Sequence, residues 1–283
     1  MAGSLSSHRA LAVKLAGRFS VFPNVEAIGL GGSLTSGAAS PGSDIDLYVY
    51  TTSVIPLGER AALIAALGAA RTELNMQFWD LGDAWEDAET GIPVDVMYWD
   101  TDWITQQLAR VLVRHEASVG YTTCHWYTLH NSEVLYDRDG WFQALKARCA
   151  QPYPEALRAA IVAKNHPILR QVMFSYLHQI EKALARGDLV SLNHRVAALL
   201  ASYFDVLFAL NRSLHPGEKR LLALAAQRCE KVPEGLSEQV TAVLRAAASA
   251  DPALVARIHA LVDGLDRLLF EEGFDPATSL PLG

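Results

Sequence analysis

Cysteine is scarce in this 283-residue chain, and the three present, Cys124, Cys149 and Cys229, lie far apart with no C-x-x-C pair. That argues against a disulfide framework or a zinc knuckle and places the protein in a reducing cytoplasm. Long hydrophobic runs are also missing. The longest uncharged apolar stretch, Ala61 to Ala70, falls far short of the roughly 20 residues that span a bilayer, so no membrane role is expected. Residues Met1 to Ser20 interrupt their apolar positions with Arg9, Lys14 and Arg18. They lack the h-region of ~7 to 15 residues of a secretory signal and read as an amphipathic helix. Positive charge is not in excess: 24 Lys and Arg against 31 Asp and Glu give a formal net charge of -7. A protein that grips nucleic acid through counterion release is therefore disfavoured. There is no internal repeat and no low-complexity linker.

What is there is a folded globular composition, 51% hydrophobic and 19% charged, long enough for one large domain or two ordinary ones. Its two halves differ in hydrophobic period. In the first, Leu11, Leu15 and Phe19 recur at helical spacing before Pro23, and Val25 to Leu30 is a short strand pattern stopped by Gly29, Gly31 and Gly32. In Asp44 to Tyr50, alternation puts Ile45, Leu47 and Val49 on one face, while the other face starts with two carboxylates. The spacing predicts a helix over Leu57 to Arg71 and strands over Asn75 to Leu81 and Ile92 to Trp99, with the acidic residues Asp83 to Gly91 as a solvated connector. Thr101 opens and caps a further helix. From about residue 140 the pattern becomes successive amphipathic helices: Pro167 to Arg186, Leu192 to Arg212, Glu218 to Glu230, Ser237 to Ala250 and Pro252 to Glu272. The expected architecture is an α/β (α+β) domain with a small mixed sheet over residues 1–125, then an α-helical bundle over residues 126–283.

The stretch that carries chemistry is Gly31-Gly32-Ser33-Leu34-Thr35-Ser36-Gly37 followed by Ser43-Asp44-Ile45-Asp46-Leu47. A strand feeds a glycine pair whose exposed N-H groups make an anion cradle, and Gly32 lets a phosphate approach where a Cβ would stand in the way. Asp44 and Asp46, two apart on a strand, project from one face with Cα atoms ~7 Å apart and can share a hard cation. Asp95, in Val94-Asp95-Val96-Met97, is a charge embedded in an apolar strand, which is costly without a compensating partner such as a metal. On a strand adjacent to the one carrying Asp44 it would complete a set of three carboxylates at one metal cluster and accept the proton of an attacking hydroxyl.

This order of residues resembles the nucleotidyltransferase fold of the DNA polymerase beta superfamily. With a helical C-terminal domain, the chain is most similar to the small-molecule branch, the aminoglycoside and lincosamide nucleotidyltransferases. The resemblance implies that Gly32 and Ser33 bind a nucleoside triphosphate, that Asp44 and Asp46 bind Mg²⁺, and that Asp95 is the third carboxylate. The implied reaction is Mg²⁺-dependent transfer of a nucleoside monophosphate from an NTP, ATP being the expected one, to an acceptor hydroxyl with release of pyrophosphate. Asn211 to Lys219 resembles a segment in which a lysine on a C-domain helix approaches the phosphates, which assigns Lys219 to the triphosphate. The helical half departs from the antibiotic-modifying members: no acidic residue there has the spacing of an acceptor-side base.

Plainer readings stand beside these. Gly31 to Gly37 alone is an ordinary Gly/Ser turn, Asp44 alone an Asx cap, Asp95 a strand-edge residue and Lys219 a solvated lysine. Trp79, Trp85, Trp99 and Trp103 read as core fillers, Trp126 as an exposed aromatic marking a homodimer surface, and the nine histidines show no metal-ligand spacing. The acceptor is expected to be a small hydroxylated molecule, in one version a cationic antibiotic. The alternatives are a protein or tRNA acceptor, the latter requiring Arg186, Arg195, Arg212, Lys219, Arg220, Arg228 and Lys231 to align, or a non-catalytic nucleotide-binding regulator.

Overall fold

The apolar stripe of the first helix and the alternation of the first strands set the architecture. A computed structural model describes residues 2–35, 42–78 and 80–282; Ser36 and Gly37 of the glycine motif, and Trp79, lie outside them. The chain forms two compact units, and it crosses between them more than once: the first comprises Met1–Ala109 and Thr128–Gln151, the second Arg110–Tyr127 and Pro152–Gly283.

In the first unit, α1 (Ala2–Phe19), β1 (Val25–Leu30), α2 (Gly32–Thr35), β2 (Ile45–Thr51), α3 (Leu57–Ala66), β3 (Ala69–Met76), β4 (Gly82–Asp87) and β5 (Pro93–Asp100) follow in order. After α4 (Thr101–Leu112) and α5 (Cys124–Asn131), which each straddle the division, the chain adds β6 (Glu133–Asp137) and α6 (Trp141–Cys149). The sheet has six strands in the order β3-β4-β5-β2-β1-β6. Its pairs are antiparallel except β2 with β5. This is a mixed sheet in an α/β unit. Leu11, Leu15 and Phe19 of α1 pack on Ile28, Leu30, Ile45, Leu47, Val49, Val94 and Val96 of the central strands, so one face of β1, β2 and β5 is buried as their alternation requires.

Several expectations need correction. The helix from Leu57 ends at Ala66, because Gly68 takes a left-handed φ of +78° and turns the chain into β3. Of the residues expected as a solvated connector, 88–91 are an exposed turn into β5, but 83–87 belong to β4, an inner strand of the sheet. Asp83 is fully buried there, accepting from Arg60 Nη1 at 2.7 Å, from Tyr98 Oη at 2.7 Å and from the Asn75 N-H at 2.7 Å. Arg60 is itself buried, donating also to the Ile55 carbonyl and the Asn75 side chain. The cap of α4 is Asp100, whose Oδ1 accepts from the Trp103 N-H at 2.8 Å, rather than Thr101.

The second unit is mostly helical: α7 (Glu155–Asn165), α8 (Pro167–Arg170), α9 (Tyr176–Arg186), α10 (Leu189–Leu210), α11 (Leu221–Arg228), α12 (Leu236–Ala248) and α13 (Leu254–Glu271), with a short hairpin of β7 (Phe274–Asp275) and β8 (Leu280–Pro281). The single helix expected over Pro167 to Arg186 is two, because the chain turns after α8 and Ser175 caps α9 by accepting from the His178 N-H. The 22-residue α10 is the spine, packed by α7, α9 and α12 around Leu192, Val196, Leu199, Tyr203 and Leu207. Trp126, expected at the surface, is buried against Tyr153 with ring centroids 5.5 Å apart. No helix among the described residues is long and apolar enough to cross a membrane.

Candidate functional site

The central parallel pair positions the candidate acids. Register sets Asp46 of β2 directly beside Asp95 of β5, flanked by the pairs Ile45 with Val94 and Leu47 with Val96. Those flanking residues enter the core. Alternation therefore holds both carboxylates on the opposite face, half-buried, on strands ~4.8 Å apart. Asp44 stands two residues before Asp46, exposed and just outside β2. Among the described residues no three carboxylate, imidazole or thiol groups close into a metal cage. What the structure brings together is the in-register pair, with Asp44 at the approach to it.

Over this pair runs the glycine turn. The Gly31 N-H donates to the Asp46 carbonyl at 2.9 Å, and Gly32 then adopts a left-handed φ of +65° and opens α2, with Ser33 half-buried behind it. A Cβ on Gly32 would lie 1.7 Å from Asp46 Oδ2, and one on Gly31 2.4 Å from Tyr48 Cε2. Gly31 is thus required by its approach to the Tyr48 ring, while at Gly32 a Cβ would displace the Asp46 carboxylate and the left-handed backbone itself favours glycine. The space expected to admit a phosphate is bounded by the Asp46 carboxylate itself.

Tyr48, two residues after Asp46, is a member of the site that the motif contained without a role. Burial first, then the charge of Asp46, with smaller contributions from Asp95 and Asp80, hold its hydroxyl well above the usual phenol range, against the opposing hydrogen bond of Thr128. The phenol stays protonated, held so first by burial and then by the neighbouring Asp46 carboxylate. Its ring lies 4.5 Å from that of Trp99, and the Trp99 indole N-H donates to Asp80 Oδ2 at 3.0 Å. Asp80 therefore joins the Tyr48 and Trp99 rings on this side of the sheet, outside any strand, although the sequence places it within the strand expected over Asn75 to Leu81. Only the spatial pairing with Trp99 distinguishes it.

Lys219 lies in the second unit, in the turn before α11, and not on a helix; Arg220 caps α11 with a φ of +58°. That unit buries polar groups of its own. Asp205 of α10 accepts from the Thr122 N-H at 3.1 Å, Thr122 Oγ1 at 2.6 Å and Asn165 Nδ2 at 3.3 Å, and burial pushes its carboxyl up to about 7. Cys124 Sγ lies 3.6 Å from His215 Nδ1. Burial pushes the thiol up to about 12 and pulls the imidazole down to about 4, so both are neutral at pH 7 and the pair is not a thiolate nucleophile with its base. His166 is bonded to Ser279 Oγ at 2.7 Å and Asp266 Oδ1 at 2.6 Å, but Ser279 is wholly buried. The arrangement ties the terminal hairpin to α13.

A family model described as a domain of unknown function (DUF4037) matches residues 122–221. No curated protein sequence matches the chain. Among solved structures, a nucleotidyltransferase-like protein from Exiguobacterium sibiricum 255-15 is similar at 13% identity and a TM-score of 0.44, over 95% of this chain and 77% of that one.

Proposed function

We propose that the protein transfers a nucleoside monophosphate from a nucleoside triphosphate, ATP in the first instance, to a hydroxyl of a small-molecule acceptor with release of pyrophosphate. The observation that carries this reading is the in-register pair Asp46 and Asp95 beneath a glycine turn that approaches Asp46 more closely than any side chain allows. The donor set is all oxygen, which suits Mg²⁺, a hard cation bound by one or two carboxylates together with substrate phosphates. Asp46 and Asp95, with Asp44 at the approach, would hold it. When bound, the ion supplies neutralising charge at the phosphate oxygens.

The remaining work belongs to the chain. Backbone N-H groups at Gly32 and Ser33 receive phosphate oxygens. Asp95 takes the proton of the acceptor hydroxyl as that oxygen bonds to the α-phosphorus; the bond to the bridging oxygen breaks in line, and pyrophosphate leaves with its electron pair. Lys219 is proposed for the triphosphate on sequence resemblance. The exposed acids Asp44 and Asp80 and the net charge of -7 favour a cationic acceptor, an aminoglycoside-like antibiotic among the candidates.

Binding of a non-hydrolysable α,β-methylene triphosphate, measured by calorimetry with and without Mg²⁺, tests the site before any acceptor is known. Wild type is expected to bind in the presence of Mg²⁺, and Asp46→Asn to lose that binding at an unchanged melting temperature. Binding indifferent to Asp46 overturns the assignment.

A further inference from the structure

The second unit carries two uncovered apolar features at opposite ends of one helix. Before α9, the consecutive residues Val172, Met173 and Phe174 are 44%, 76% and 72% exposed. They form a knob whose backbone is held by Gln179 Nε2 donating to the Phe174 carbonyl at 2.7 Å and by the Ser175 N-H donating to the Val172 carbonyl at 2.9 Å. After α9, a cavity of about 250 Å³ opens between α10 and α12, its lining apolar (Leu189, Val196, Ala197, Leu244, Ala247) except for Asn193. At and beside it Leu189, Val190 and Leu244 are 53%, 70% and 48% exposed. Single exposed apolar residues need no explanation, but a three-residue knob and an open groove on one unit do.

We infer that this surface pairs with a second copy of the same chain, the knob of each copy seated in the groove of the other about a two-fold axis. α9 runs from Tyr176 to Arg186, so at 1.5 Å per residue knob and groove are separated by roughly 16 Å or more along it. An axis through the midpoint of α9, between Glu181 and Lys182, sets Phe174 opposite the second copy's Leu189. It also sets Glu181 opposite that copy's Lys182, and both charges are exposed. Knob-to-groove contact then occurs twice, the self-complementary arrangement a closed dimer requires. The six exposed side chains carry on the order of 600 Å² per copy, so pairing removes on the order of 1,200 Å² from water, the lower end of the range for stable interfaces. A single helix from another protein would fill the groove and leave the knob, at the far end of α9, uncovered. The second copy accounts for both.

The test is the mass of the full chain in solution by sedimentation and light scattering over a wide concentration range. A dimer is expected. Phe174→Glu, which breaks the knob, and Leu244→Glu, which breaks the groove, are each expected to weaken it by at least about tenfold with melting temperature unchanged, while Phe174→Leu retains it. Mixing the two broken variants should give association stronger than either shows alone and weaker than wild type, because one of the two contacts then joins an intact knob to an intact groove. A wild-type monomer at every concentration, an open-ended oligomer, or a dimer that survives both charged substitutions overturns the inference.

Discussion

At Gly32 one missing methyl group sets the geometry of the candidate site. The backbone is left-handed and an added Cβ would stand 1.7 Å from Asp46 Oδ2, so Gly32→Ala acts on the carboxylate and leaves the core alone. In the second unit, single buried residues set a pH response. Burial holds the Asp205 carboxyl at about 7, against about 3.9 in an unfolded chain. Between those values the folded protein keeps a proton that the unfolded chain has released. Its contribution to stability is therefore fully present below about pH 4 and lost as pH rises through about 7. His215 works in the opposite direction, since burial pulls its imidazole down to about 4: its contribution is present above about pH 6.5 and lost as pH falls through about 4. Asp205→Asn removes the first dependence and keeps the second. The melting temperature of the variant relative to wild type is expected to be higher at about pH 8 than at about pH 5. A difference that does not change with pH contradicts the burial argument for Asp205.

At the scale of elements, β2 and β5 were legible because their chemistry is local. Ile45, Leu47 and Val49 alternate with Asp46 and Tyr48, and Asp95 interrupts an apolar run, so strand, face and charge can all be read within a few residues. β3 and β4 were not legible. The Ala/Leu spacing of α3 runs on through Ala69 and Ala70 and masks Gly68, the one residue there whose type signals a helix stop. The acids of β4 look solvated because the partner that neutralises Asp83 is Arg60, 23 residues earlier and on another element. Asp80 is hidden for the same reason, its partner Trp99 being 19 residues away. The buried pair has a testable consequence. Arg60→Met leaves the Asp83 charge buried without its cation, and chemical denaturation is expected to show a loss of about 3 to 5 kcal/mol. Arg60→Met/Asp83→Asn is expected to recover part of it, because the neutral amide oxygen still accepts from Tyr98. A double variant as unstable as the single one contradicts this account.

For the whole molecule, a mixed α/β sheet and a succession of helices were both evident from the change in hydrophobic period near residue 140. The path between them was not, because residues 128–151 return to the first unit after residues 110–127 have joined the second. β6 pairs with β1 in that return, through a register of Ala27 with Asp137 and Leu30 with Glu133. Neither strand contains any signal of the other. The function proposed for the molecule depends on the carboxylate pair in the first unit, and it is the reaction itself that should be tested. The measurement is transfer of label from each α-³²P nucleoside triphosphate, with Mg²⁺, to a panel of aminoglycosides, lincosamides, bulk tRNA and cell extract, with pyrophosphate quantified alongside. Label is expected on a small hydroxylated acceptor with one pyrophosphate per transfer, lost in Asp46→Asn and Asp95→Asn and strongly reduced in Gly32→Ala. Label that survives these substitutions, or pyrophosphate never released with any acceptor, would contradict the assignment of Asp46 and Asp95 to nucleotidyl transfer.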